Sequence, residues 1–547
     1  MAATDIKISQ MTPATTLAGD ELIPIVQNGA NKSTTVNKVI EGLATEQWVT
    51  NAIADAGGKV LVVTELPAKG NPNTIYMVPN ESSRANDVYD EYIWMVTTEK
   101  TGWEFLGNKH VEVDLTGLED IYSYGVEWDT TVADPALTRI GNPLLHKSLP
   151  IQSQYKGCVA NGAEINYYLN PNDWSQKADG TPSVLDGTDG TVRVHIPKFY
   201  GKSGVEGTKR WVRMSTIKMD NTWIEIPEML IDAYRSTVDT TTSATPKAVS
   251  VVNTTAQFRG GGNRTANDTY LDTDAFRSDL GKPRTNISRA NMRTYATNAG
   301  SEMLCYEYYK WIFYWAWVIE YATFNSQAAY NAELTAEGYH QGGLGDGVTT
   351  WDGTSWNNYN GYYPLTPCGY CNEFGNFTSV KDLVIPETVV SEATTVATKT
   401  FKVPRWRGFD NPFGDIWTNL DGIILERTAA NQPSSVYTTT DTSAFGDDNT
   451  AKGKMTVAGT EVASDGYIKA FDLGEKGEII PSAVGGSSTT YMCDYHYCDT
   501  SSTALKTLVV GGSAHSGGNA GLGFFHSHNG VGFAYASVGF RTLNKVV

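Results

Sequence analysis

The run Cys305–Tyr321, reading CYEYYKWIFYWAWVIEY, limits most strongly what this chain can become. At helical spacing it is apolar nearly all round, so a helix here has no face to offer to water and must be enclosed. A buried central helix is therefore expected over Ser301–Tyr330, with its aromatic stripe serving core packing rather than a ligand pocket. The longest unbroken apolar stretch, Trp311–Ile319, is too short to span a bilayer. Enclosing such a helix takes a large shell, and 547 residues supply enough chain for two to four units. The shell should be rich in turns and short strands, because 53 residues are glycine. The expected class is α+β and multi-domain.

A net charge of −18 argues against phosphate-backbone binding, which needs clustered Lys and Arg, and against adsorption to anionic membranes. Neither a nucleic-acid partner nor membrane insertion is expected. The opening MAATDIKISQ has no basic run followed by an apolar core, so it does not read as a secretory signal. Folding in a host cytoplasm is the expectation. Six Cys are too few for a disulfide scaffold.

In chain order, residues 1–45 hold Leu22–Gln27 and a polar β-prone run, joined by the turn signal Asn28-Gly29. So small a hairpin must dock onto something else. A helical linker is expected over residues 46–58, its helix running Ala44–Ala56 and stopping at Gly57-Gly58. Residues 59–107 read as a small antiparallel sheet, with strands at Val60–Val63, Thr74–Val78, Asp90–Val96 and Trp103–Gly107. Residues 108–124 form a polar connector, and from Gly125 to the end (125–547) the composition turns rich in Trp, Tyr and Gly. Within it, Asp239–Asn298 reads as a long surface excursion.

The C-terminal stretch Val509–Val547 has the residue vocabulary of a recognition surface. Glycines punctuate short apolar pieces, Asn529-Gly530 signals a two-residue hairpin, and Asn, His, Ser, Tyr and Phe fill the positions between. Asp and Glu are absent from it, which makes acid/base chemistry a poor fit. His526 and His528 are two apart, so on a strand both rings face one side.

Three stretches carry resemblances. ISQMTPATTLAGDELIPIVQNG resembles the N-terminal adaptor segment of tailed-phage head and tail fibre proteins, which implies attachment of residues 1–45 to other virion proteins of capsid or tail. The pattern NTIYMVP…VYDEYIWMV…WEFLG is similar to a small β module of fibre proteins from phages of gut Bacteroides, including crAss-like ones, which implies a spacer or oligomerisation role. Arg405-Trp406-Arg407-Gly408-Phe409 leading to Trp417, with the closing Gly539-Phe540-Arg541, resembles the formylglycine-generating-enzyme branch of the C-type-lectin fold. That branch includes receptor-binding proteins diversified by retroelements. There the loops before the final Gly-Phe-Arg contact ligand, which implies that Asn519, His526, His528, Asn529, Phe533, Tyr535 and Ser537 bind here. Phe540 and the Trp417 strand would hold the frame beneath them.

No oxidase is implied, since that chemistry needs a cysteine pair close to the C-terminus and the last cysteine is Cys498. The calcium-dependent sugar motifs Glu-Pro-Asn and Gln-Pro-Asp are missing too, so a sugar site would rely on stacking and side-chain hydrogen bonds. No paired carboxylates stand out for a glycan hydrolase. Cys368 and Cys371 have zinc-knuckle spacing, and Cys493, His496 and Cys498 could add ligands to a structural zinc site. A disulfide within either pair is the alternative. The expectation is a non-enzymatic fibre adhesin on a virion surface, a homo-oligomer, most simply a trimer, binding a host-surface glycan or protein. A glycan-degrading fibre enzyme and a passive capsid decoration are the alternatives.

Overall fold

The computed structural model describes residues 22–27, 30–35, 59–63, 65–71, 74–79, 88–96, 101–110, 118–261, 278–351, 366–386, 389–391, 394–395 and 398–546. The expected linker 46–58, the first part of the attachment segment, residues 111–117 of the connector and 262–277 of the excursion lie outside them. The chain divides into two compact units, Met1–Asp114 and Leu115–Val547.

In the first unit Leu22–Gln27 pairs antiparallel with Ala30–Thr35, Gln27 opposite Ala30. A four-stranded sheet follows in the order Lys59–Val62, Thr74–Pro79, Val88–Val96, Thr101–His110. It is not wholly antiparallel, as its first two strands run parallel, Val60 beside Ile75. A tight turn would have forced the opposite direction, since only antiparallel strands can be joined by one. Edge-on packing of Trp103 against Tyr76 (4.8 Å) and Trp94 (5.1 Å) gives this sheet its apolar centre.

The second unit is mostly β-sheet, where an α+β class was expected. A seven-stranded sheet places Thr191–Ile196 and Met229–Asp232 at its centre and the terminal strand Thr542–Lys545 near one edge. A five-stranded sheet contains Ser123–Asp129, so this unit's first strand starts ahead of Gly125. The largest sheet orders Thr456–Glu461, Ser434–Thr438, Trp417–Arg427, Lys506–Gly511, Gly521–Ser527, Tyr495–Cys498, Gly466–Leu473 and Ile479–Val484. Its two ends meet where the Val462 N–H donates to Pro481 O at 2.8 Å, so it is nearly a closed barrel. Closure removes the edges that would otherwise invite pairing with other chains.

The aromatic run is a helix and is enclosed, but it is shorter than expected, Tyr306–Tyr321, with a π-helical middle at Lys310–Trp315. Every residue of it is buried. Ahead of it Glu302–Met303 joins the seven-stranded sheet, and behind it Ala322 turns left-handed (φ 52°) and ends the helix. Its three charges are neutralised in place. Lys310 pairs with Glu307 and lies 3.7 Å from Glu478, and Glu320 pairs with Arg407 at 2.8 Å while accepting from Trp406 Nε1 at 3.1 Å. Unpaired, each would cost several kcal/mol to bury. The last part of the expected surface excursion is also a helix, Arg289–Asn298, capped by Ser288. It packs inward through Met292 and Ala296, and Arg293 bonds Asp421 at 2.7 Å.

The closing Gly-Phe-Arg ties these layers together. Val538 and Gly539 pair in parallel with Trp417 and Thr418. Phe540 is fully buried beside Ile287, Met292, Met303 and Val509. Arg541 donates to Asp232 O of the seven-stranded sheet at 2.8 Å and to Asp410 O of the Trp406 loop.

Candidate functional site

The strand Gly521–Ser527 runs between Lys506–Gly511, antiparallel, and Tyr495–Cys498, parallel, with Tyr497 beside His526. Alternation splits its side chains. Ser527 points inward and its hydroxyl donates to Glu461 Oε2 at 2.7 Å. Glu461 is buried and also meets His496 Nε2 at 3.2 Å and Arg427 at 3.6 Å. This inner anchor fixes the strand so that His526 and His528 share the outer face, ring centres 6.1 Å apart. The same-side expectation for the two rings therefore holds.

Glycine is required at two positions of this strand by what lies behind it. A Cβ on Gly521 would sit 1.7 Å from Asp494 Oδ1, and one on Gly523 would sit 2.6 Å from Oδ2. The Gly523 N–H donates to that carboxyl at 2.8 Å, and burial pushes Asp494 well above the usual carboxylate range. Turn geometry accounts for Gly511 and Gly512, both left-handed at φ 91° and 80°.

The Asn529-Gly530 hairpin does not form. Thr507 N–H donates to Asn529 O at 3.0 Å and Gly530 bridges to Lys506, so the chain runs on beside its neighbour strand. Pairing to a long existing strand has overridden the local turn signal.

The outer face opens into a pocket of about 480 Å³. His526, His528 and Asn529 line it from the strand and its extension, Phe533, Tyr535 and Ser537 from the segment that follows, and Asn519 from the Gly517–Asn519 turn. All seven residues named from sequence converge there. Phe533 and Tyr535 stack 6.1 Å apart at 13°, and Tyr497 stacks on His528 at 4.8 Å and 15°. Trp417 is half-buried in the wall, edge-on to Phe524 at 4.6 Å and to His526 at 4.7 Å. It thus lines the pocket while also packing against the Phe540 cluster beneath. The sequence reading missed Tyr495, Tyr497 and Phe524, and also Ser513, His515 and Ser516. The signal for Phe524 was present, since it shares the two-residue period of His526 and His528. Tyr495 and Tyr497 alternate around the inward His496 in the same way, but their strand comes from elsewhere in the chain.

The lining holds no Asp, Glu, Lys or Arg. Nδ1 of His526 and of His528 is buried without a hydrogen-bond partner, which leaves Nε2 as the polar atom each ring presents to the pocket. Burial pushes His526 down to about 3, helped by His528 and His496 nearby. The unfolded residue titrates near 6.5. Between those values the unfolded chain takes up a proton that the folded one refuses. Stability is therefore full above about pH 6.5 and falls as pH drops toward 3, by at most about 1.4 kcal/mol per unit. Burial holds His146 down to about 4 in the same way. His526→Asn should accordingly flatten, without abolishing, the decline in melting temperature between pH 7 and 4. An unchanged decline would show that His526 does not contribute.

The expected zinc ligands are not gathered. Cys368 and Cys371 belong to different apolar clusters, their sulfurs directed to Arg235 O (3.7 Å) and Val403 O (3.9 Å). Cys493 and Cys498 face Tyr491 O and Val462 O, each at 3.9 Å, and His496 is held by Glu461 and Ser464 O. Among the described residues no three His, Cys, Asp or Glu side chains are grouped to hold a metal ion. All six cysteines are free and buried, and burial pushes Cys493 and Cys498 up to about 12.

Two further pockets have different chemistry. One of about 240 Å³ beside Trp128, Phe324 and Phe471 has a charged rim, where Glu127 pairs with Lys209 at 2.7 Å and Asp129 is held low by Thr131 and Thr208. Another of about 200 Å³ is lined by Asp494, Gln327 and Ser326 but by no second carboxylate. Glycoside hydrolysis uses two carboxyl groups about 5–9.5 Å apart, and neither pocket offers a raised-pKa acid beside a free base. No protein-family model and no curated protein matches this chain.

Proposed function

We propose that the chain is a fibre protein of a tailed-phage virion, attached through residues 1–45 and spaced by the small sheet of residues 59–107. It binds a host-surface glycan or protein through the C-terminal pocket, in a C-type-lectin-like unit, and performs no chemistry on it. One observation carries this reading. Seven residues scattered over Asn519–Ser537 meet in a single uncharged, aromatic pocket on a frame locked by the final Gly-Phe-Arg. Aromatic anchors with small polar neighbours on a rigid support are the means by which binding proteins gain affinity at low entropic cost. Purified full-length chain should compete with virions for adsorption to host cells, and failure to compete at saturation would remove the adhesin role.

Attachment and assembly have their own tests. The hairpin Leu22–Thr35 is too small to be stable alone. A chain lacking residues 1–45 should stay folded and fail to enter virions, and normal incorporation would refute the anchor. Several copies on one fibre raise apparent affinity without new contacts. Light scattering should return a homo-oligomer, most simply a trimer. A monodisperse monomer of the full-length chain contradicts that.

A further inference from the structure

We infer that the pocket takes an uncharged sugar ring of a glycan and holds it without a metal ion. This rests on the pocket being the recognition site and goes further by naming the ligand class. The argument is one of chemical fit. An acidic sugar would bring a carboxylate or sulfate into a recess with no Lys or Arg to meet it, on a chain of net charge −18. Burial holds both His526 and His515 below the usual imidazole range, so neither favours an anion. An organic cation would suit the aromatic faces. However, its methyl groups would strip water from the half-exposed Asn519, Asn529 and Ser516 of the lining and return no hydrogen bonds, and the lining has no carboxylate to pair with it.

A neutral sugar meets both halves of the lining. Its apolar C–H face can lie on an exposed aromatic ring, whose negative face attracts polarised C–H bonds. Tyr535 is 47% exposed and Tyr497 36%, each backed by a stacked partner that fixes the plane of its ring. Hydroxyl groups both donate and accept, so they can satisfy serine, asparagine and imidazole Nε2 whichever tautomer the ring adopts. About 480 Å³ lies within the usual range for small-ligand sites and leaves room for more than one ring.

The test uses the full-length chain on immobilised oligosaccharides. The panel carries neutral hexose and N-acetylhexosamine termini, uronic-acid and sulfated termini, and phosphocholine, with and without EDTA. Binding should fall on neutral members, survive EDTA, and weaken at least tenfold in H526A/H528A. In parallel, attachment of the parent and of that variant to host cells is measured before and after periodate treatment of the cells, which cleaves vicinal diols. If the variant loses attachment while the parent binds only charged members, none at all, or periodate-treated cells as well as untreated ones, the sugar assignment fails and the pocket stands. Attachment lost only with EDTA overturns the metal-free part. If the variant attaches normally, the pocket is not the recognition site and both readings fall.

Discussion

Phe540→Ala should unfold the second unit over a temperature range in which the parent is intact. Phe540 has no exposed surface and packs among Ile287, Met292, Met303, Val509 and Val538. Removing a buried aromatic ring costs about 3–5 kcal/mol, a large share of the roughly 5–15 kcal/mol that holds a domain folded. On either side, Gly539 pairs with Thr418 and Arg541 bridges Asp232 O and Asp410 O. A cavity here therefore loosens two sheets and the Trp406 loop together. The thermal midpoint should fall by roughly 3–6 °C for a unit of this size, and Phe540→Leu should recover much of that loss. A midpoint within two degrees or so of the parent would show that the terminal Gly-Phe-Arg does not hold the frame.

The converse result is expected for the pocket. Replacing His526, His528, Asn529 and Tyr535 together by Ala removes polar and aromatic contacts from its face and leaves the inner anchor of Ser527 and Glu461 intact. Exposed positions usually cost within about 0.5 kcal/mol each. His526 should cost more, since it packs on Trp417 at 4.7 Å and Tyr497 at 5.1 Å. A total of roughly 1–3 kcal/mol leaves the variant folded. Hot-spot residues carry about 2 kcal/mol or more each, so adsorption should fall at least about a hundredfold. Trp417→Ala belongs with this group. Its ring lines the pocket, so it should lose binding with a smaller stability cost than Phe540→Ala. Normal adsorption by the folded quadruple variant would remove the C-terminal pocket from the mechanism.

Much of the local structure was legible because periodicity reports burial directly. The aromatic run Cys305–Tyr321 had to be enclosed wherever it fell, and a period of two placed His526 and His528 on one face with Ser527 on the other. Strands such as Thr74–Pro79 and Val88–Val96 declared themselves by β-branched and aromatic runs. The misreadings share one cause, a local signal outbid by a distant partner. Asn529-Gly530 was drawn along Lys506–Thr507 instead of turning. Lys59–Val62 paired in parallel with Thr74–Pro79. Ser301–Tyr330 lost both ends, one to the seven-stranded sheet and one to the left-handed Ala322.

By itself the sequence determined that the aromatic run Cys305–Tyr321 is enclosed and that His526 and His528 take one face of their strand. Only the tertiary structure decided who meets whom. It brought Trp417, Tyr495 and Tyr497 to the pocket from two other strands, and it put Asp494 behind Gly521 and Gly523. It also dispersed four cysteines whose spacing suggested a shared metal. The physical reason is that a period of two or of 3.6 fixes the direction of a side chain relative to its own backbone and contains nothing about the neighbouring strand. Neighbours are chosen by sheet order and register, which depend on packing the whole unit at once.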